Sequence, residues 1–230
     1  MTILDLLFPR RCPVCDSVQP MGRIVCPSCA EGLRRISSPF CKKCGKAVAD
    51  ARQEYCADCA CGSHLYKEGR ALYEYPRVKK SLYRFKYGGR KEYGEFYGGE
   101  LARHLDPVIR SWRPDALVPV PLHGSRKRMR GYNQAEVLAV CLGEKTGIPV
   151  KKDLIRRVEK TAPQKSLDRQ ARQNNLKRAF KIYENDVKLN TIIIIDDIYT
   201  TGSTVDAMAS VLRGAGIKNI YFIALATGRG

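Results

Sequence analysis

Two adjacent carboxylates, Asp196 and Asp197, follow four consecutive isoleucines and precede the hydroxyl-rich stretch Thr200-Thr201-Gly202-Ser203-Thr204. Four β-branched residues without interruption are the pattern of a parallel strand buried on both faces. Such a strand would carry the two acids to its carboxyl end, where open α/β sheets bind their ligands. The stretch that follows has the small, hydroxyl-bearing residues of a turn, and Val205–Arg213 then reads as an amphipathic helix ending at Gly214. Backbone N–H groups, hydroxyls and a helix N-terminus together make a site for a phosphate monoester. Each piece alone is ordinary, since aspartates are commonly solvated and Thr and Ser commonly cap helices. Their succession is much more specific.

A second kind of chemistry lies at the other end of the chain. Nine of the ten cysteines fall between Cys12 and Cys61, and Cys141 stands alone. Four Cys-x-x-Cys pairs occur in order: Cys12/Cys15, Cys26/Cys29, Cys41/Cys44 and Cys56/Cys59. Two thiolates three residues apart can grip one ion from a tight turn, and two such knuckles complete a tetrahedral Cys₄ site. Redox pairs are the rival reading, but no thioredoxin-like βαβ pattern accompanies them. Two closed zinc sites with a structural role are therefore expected. Spacing leaves open whether neighbouring pairs combine or cross-brace, and Cys61 competes with Cys59 as the last ligand, Cys59 being preferred because it keeps the repeated spacing.

The elements that must position the acidic pair come from the middle of the chain. Asp115–Pro121 reads as a short strand entering a proline-bounded turn, Asn133–Lys145 as a helix stopped by Gly147, and Ile217–Thr227 as a further strand. Cys141 falls on the apolar side of that helix and is expected in the core. The lysines and arginines number 41 against 23 acidic residues, a net charge of +18. Residues 123–180 alone carry fifteen basic and five acidic side chains. Such runs are usually solvated faces, but an excess this large also favours polyanionic partners. No stretch approaches the length of a bilayer span, and the opening Met1–Arg10 lacks the features of a secretory signal. A cytoplasmic protein, not inserted in a membrane, is expected.

Ile192–Thr204 resembles the thirteen-residue signature of type I phosphoribosyltransferases, which bind phosphoribosyl pyrophosphate (PRPP) together with Mg²⁺. The resemblance implies that Asp196 and Asp197 hold the ribose hydroxyls and that Thr200, Thr201, Gly202, Ser203 and Thr204 cradle the 5′-phosphate. It places the pyrophosphate against the loop after the first core strand, Pro121, Leu122, His123 and Gly124, with Arg126 and Arg130 beside it. Residues 157–179 would be the flap that excludes water. Purine-salvage members carry an Asp where Thr200 stands, as a base on the ring; its replacement argues against such substrates and leaves the motif without a general base.

The runs Val118–Leu122 (V-P-V-P-L), Arg130–Ala139 (R-G-Y-N-Q-A-E-V-L-A), Arg156–Leu167 and Arg172–Phe180, with the opening L-L-F-P-R-R-C-P-V-C, are similar to the ComF family of competence proteins. That family's members serve natural transformation or the use of external DNA. The resemblance implies a double zinc ribbon over residues 1–62 and a phosphoribosyltransferase-like α/β domain, a parallel sheet flanked by helices, over 63–230. Residues 114–230 would form its core and 63–113 a hood or connection. Nine aromatics between Tyr66 and Tyr97 are interleaved with basic residues, a composition that suits single-stranded DNA and equally suits a buried hood. From that hood Lys86, Gly88, Gly89 and Arg90 are placed to reach the ligand. A competence helicase is a further candidate partner.

Overall fold

A computed structural model describes residues 9–20, 22–158, 179–183 and 188–228. Its centre is a four-stranded parallel sheet in the order β1 (Glu68–Glu74), β6 (Asn219–Thr227), β5 (Thr191–Tyr199), β2 (Ala116–Pro119). Ile192–Ile195 of β5 are all fully buried, and alternate residues enter different cores. Ile192 and Ile194 meet Val205, Met208 and Leu212 of α7 (Ser203–Gly214). Ile193 and Ile195 face the opposite layer, built from α3 (Tyr75–Tyr87), α4 (Tyr93–Trp112) and α6 (Gln134–Thr146). A side chain of this kind contributes roughly 1.5–3 kcal/mol when fully buried, so the four isoleucines anchor β5 firmly between the two layers. Asp115 fixes where it begins, its carboxylate accepting the N–H groups of Asn190 and Thr191 at 2.8 Å each.

The segment expected to connect the two modules supplies β1, an edge strand of the same sheet, and α3 and α4 on one of its faces. Its open side is covered by the cysteine-rich region. Ile36 donates its N–H to Leu72 O at 2.8 Å, and Gly69 donates to Lys43 O at 2.8 Å. Gly45, at φ +74°, lets this cover approach: a Cβ there would lie 2.8 Å from the Arg70 Cα. An edge strand covered in this way offers little for another chain to pair with.

The two halves of the cysteine-rich region, which include α1 (Pro27–Gly32) and α2 (Ala57–Ala60), straddle β1. The first lies against α3 and α4, where Ser81 donates to Pro13 O and Tyr93 to Asp16. Burial works against ionisation of Asp16, but Tyr93, Arg90, Arg84 and Arg11 hold its carboxyl below the ordinary range. The second half is buried in the same core as α7. Between them Arg35 reaches across to Glu100 on α4 (2.6 and 2.9 Å), a buried carboxylate that also accepts Tyr73 OH at 2.7 Å.

Two elements flank the site. The short α5 (Gly124–Arg130) follows β2, and β3 (Ile155–Arg157) pairs antiparallel with β4 (Phe180–Ile182). The expected flap at 157–179 falls almost entirely outside the described residues. Cys141 is half-buried on α6, its Cβ against Gly98 of α4.

Without Arg35 the buried Glu100 keeps Tyr73 and Arg103, the latter at 3.3 Å, so Arg35→Ala should lower unfolding stability by about 2 kcal/mol, the scale of a hydrogen bond to a charged group. Urea denaturation of the zinc-loaded protein measures this. A loss below about 1 kcal/mol would mean that Tyr73 and Arg103 together satisfy Glu100.

Candidate functional site

Strand β2 ends at Pro119 opposite Ile195, whereas β5 continues beside β6 to Tyr199. Asp196 and Asp197 therefore lie inside β5 rather than at its end, but they stand where β2 has stopped and the sheet opens into a cleft. The cleft has a volume of about 160 Å³. Its walls include Asp196, Asp197 and Thr204 from β5 and α7, Pro121 and Leu122 from the loop after β2, Arg126 and Arg130 from α5, and Lys86 from α3. Of the hood residues expected near a ligand, Lys86 arrives, its ammonium 2.8 Å from Asp197. Arg90 turns instead to Asp16 at 3.3 Å, and Gly88 and Gly89 close the end of α3.

The residues around Arg130 hold this wall in place. Arg130 donates to Gln134 Oε1 and to Tyr87 OH, both at 2.9 Å, with its guanidinium 4.7 Å from the Tyr87 ring centre. Asn133 caps α6 through the Ala135 N–H and donates to Val120 O at 2.9 Å, fixing the residue before the Pro121 turn. Tyr132 and Gln134 both donate to Phe85 O, tying α3 to the start of α6. Arg157, the first residue of the expected flap, lines the cleft, as do Asn133 and Gln134, which had not been singled out as site residues. Their signal was present, since Asn before an apolar helical run is a cap pattern. His123 and Gly124 are not on the cleft wall. His123 caps α5, accepting the Ser125 N–H at 3.2 Å.

At the start of α7, Gly202 occupies the left-handed region at φ +81°, and no side chain caps the helix. Thr200 and Thr201 are exposed, Ser203 and Thr204 partly buried, and the Thr201 and Ser203 hydroxyls lie 2.8 Å apart. Uncapped N–H groups, hydroxyls and a helix dipole suit an anion. A carboxylate pair next to it suits the hydroxyls of a sugar. A second cleft of about 320 Å³ shares Pro121, Leu122, Asn133 and Arg157 and adds Lys127, Lys152 and Arg156.

The eight cysteines gather into Cys12, Cys15, Cys26, Cys29 and Cys41, Cys44, Cys56, Cys59, each group with its sulfurs within 4.8 Å of one another. Neighbouring pairs thus combine, and the exposed Cys61 belongs to neither group. A tetrahedral zinc with bonds near 2.3 Å spaces its sulfurs by about 3.8 Å. Cys15 and Cys26 are 3.8 Å apart, and Cys44 and Cys56 3.6 Å. Both groups fit structural zinc, with no position left for water.

Burial, and after it the neighbouring Asp197 carboxylate, push the Asp196 carboxyl up to about 8, with Lys86 pulling the other way. Between its ordinary value and about 8 the unfolded chain is ionised there and the folded chain is not, so stability falls as pH rises through that window. Asp196→Asn should therefore raise the melting temperature of the unliganded protein more at about pH 8.5 than at about pH 6. An equal gain at both values would contradict the assignment.

Comparison with known proteins agrees with this architecture. A double zinc ribbon domain model matches residues 3–60, and a phosphoribosyl transferase domain model matches residues 123–230. The chain is 30% identical to Competence protein F of Haemophilus influenzae, covering 88% of this chain and 90% of that protein. It is 32% identical to Competence protein ComFC of Bacillus subtilis, over 84% of this chain and 79% of that one. With DNA utilization protein YhgH of Escherichia coli it shares 27% identity over 94% of this chain and 97% of that one. Among solved structures, a purine phosphoribosyltransferase from Pyrococcus horikoshii aligns at a TM-score of 0.37 and 19% identity, over 57% of this chain and 73% of that one. Two zinc-compatible cysteine centres, a parallel sheet with an acidic pair in β5 where β2 has stopped, and about 30% identity to two competence proteins over most of their length together show that the chain belongs to the ComF family.

Proposed function

We propose that the cleft binds PRPP with Mg²⁺, and that the protein is a phosphoribosyltransferase-like protein of DNA uptake that handles incoming single-stranded DNA in the cytoplasm. The observation that carries the reading is the meeting of Asp196, Asp197 and Thr204 with Lys86, Arg126 and Arg130 around one cleft. Asp196 and Asp197 would accept hydrogen bonds from the ribose hydroxyls, and Thr200–Thr204 would take the 5′-phosphate. Arg126 and Arg130 would meet the pyrophosphate, guanidinium groups being suited to paired phosphate contacts. Mg²⁺ would enter on the ligand's own oxygens, and the carboxylates lining the cleft are hard donors that suit it. Lys86 would give up its ion pair with Asp197 or share it with the ligand.

In a transfer reaction the bond from ribose C1 to the pyrophosphate oxygen breaks, and its electron pair leaves with pyrophosphate. A nitrogen lone pair of the acceptor closes on C1 and that nitrogen loses its proton. The cationic wall would stabilise the departing anion, which is electrostatic work. Thr200 cannot serve as a base, so the acceptor's proton would pass to solvent or to pyrophosphate. The same feature favours a second reading, in which PRPP is a ligand that regulates DNA or partner binding without reacting. A third is a phosphoribosyltransferase of nucleotide metabolism.

The DNA part of the proposal rests on relatives named for competence and DNA utilization and on one surface. Tyr83 and Tyr87 are exposed on α3 with ring centres 5.2 Å apart. Arg130 both borders the cleft and lies over Tyr87. Exposed rings beside cations are a stacking platform for unpaired bases. Among the described residues no helix is long and apolar enough to cross a membrane. The exposed face of the cysteine-rich region would be free to dock a partner such as a competence helicase.

Two measurements test this. Tyr83→Ala with Tyr87→Ala should weaken binding of a single-stranded oligonucleotide about tenfold and leave the salt dependence unchanged, since stacking is lost and phosphate contacts are not. Unchanged affinity would remove this surface from the proposal. Pyrophosphate release from Mg²⁺-PRPP, assayed with single-stranded DNA and with free nucleobases, separates the readings. Release with DNA supports transfer to it, release with bases alone supports nucleotide metabolism, and binding without release supports the regulatory reading.

A further inference from the structure

The linker between the last cysteine and β1 carries His64, whose side chain is 3% exposed. Its Nδ1 lies 2.8 Å from Asp206 Oδ2, and the Leu65 N–H donates to Asp206 Oδ1 at 2.8 Å. A carboxylate only accepts, so Nδ1 carries the proton. Asp206 stands in the first turn of α7, and its own N–H donates to Gly202 O at 2.8 Å. The imidazole also packs directly under Gly202. A Cβ at residue 202 would lie 2.9 Å from His64 Cε1 and 2.8 Å from Tyr199 OH. Residues 142 positions apart thus meet beneath the turn read as the anion site.

The other side of His64 leads to the second four-cysteine centre. His64 stacks on Tyr66 at 4.8 Å, and Tyr66 OH lies 2.7 Å from Tyr199 OH. Both tyrosines share one buried cluster with Cys41, Cys44, Cys56 and Cys59. Lys46, from within that centre's loop, pairs with Asp58 at 2.5 Å and lies 5.9 Å from the Tyr199 ring. A linker that only joined two modules could attach anywhere on α7. Here its contacts fall on Gly202 and Asp206, which set the direction of the N–H groups at the start of the helix.

We propose that His64 and Asp206 form a clasp through which the second four-cysteine centre holds the Thr200–Thr204 turn in its phosphate-binding conformation, so that affinity for a sugar phosphate depends on the integrity of that centre. The inference rests on the reading of this turn as the 5′-phosphate site and adds what organises it. His64 is a positioning residue: it touches the turn from beneath and does not enter the cleft. A turn already ordered in the free protein spares the ligand the entropy of ordering it.

Calorimetric titration of the full chain with ribose 5-phosphate and, separately, with pyrophosphate tests the clasp, with zinc content measured for each variant. His64→Ala should weaken ribose 5-phosphate about tenfold, leave pyrophosphate within about twofold, and retain both zinc ions. His64→Asn, which restores a donor toward Asp206, should recover most of the loss. Asp206→Asn, a change at the helix rather than beside the cysteines, should reproduce the selective loss if His64→Ala folds poorly. Wild-type-like ribose 5-phosphate affinity in zinc-loaded His64→Ala or Asp206→Asn would overturn the clasp, and so would equal weakening of both ligands. A wild type that binds neither ribose 5-phosphate nor PRPP would overturn the phosphate-site reading itself, and the clasp with it.

Discussion

Lys86 and Asp197 meet at 2.8 Å over the floor of the cleft, and much of the surrounding architecture serves that contact. Two adjacent carboxylates in a partly enclosed cleft repel one another, and a nearby cation offsets part of that repulsion. The cation comes from α3, an element far from β5 in sequence. Helix α3 must therefore be held over the sheet, and it is held by Phe85 and Leu82 in the core and by Tyr132 and Gln134 on the Phe85 carbonyl. The same short run, Arg130–Gln134, places Arg130 on the cleft and caps α6. One stretch of five residues thereby couples the cationic wall, the loop after β2 and the hood.

The cysteine centres do more than staple a small module. They lie on either side of β1 and close its open edge, which would otherwise be a template for pairing with another chain. The first is tied to α3 and α4 by hydrogen bonds and by the cations around Asp16. The second is buried with α7 and the anion-shaped turn. Such an arrangement makes metal binding part of the folding of the α/β domain as well as of the ribbon.

The features written locally were legible in the sequence. The four isoleucines mark β5, because only a strand buried on both faces tolerates so many β-branched residues. The Cys-x-x-Cys repeats mark two zinc centres, and the hydroxyl-rich turn marks the start of α7. What the sequence did not reveal depends on distant contacts. Spacing alone could not decide that neighbouring cysteine pairs combine, since chain length permits either arrangement. β1 was obscured because Glu68–Glu74 mixes charged and aromatic residues, as suits an edge strand between unlike surfaces. The roles of Lys86 and Arg90 were indistinguishable until the fold turned one toward Asp197 and the other toward Asp16. Nothing local connects His64 with Asp206.

The proposed function stands or falls with PRPP binding through the acidic pair. Isothermal titration of Mg²⁺-PRPP into the zinc-loaded wild type and into Asp197→Asn tests it most directly. Binding on the order of micromolar by the wild type, about 8 kcal/mol, and its loss in the variant are expected. No binding by folded, zinc-loaded wild type, or equal binding by both proteins, would contradict it.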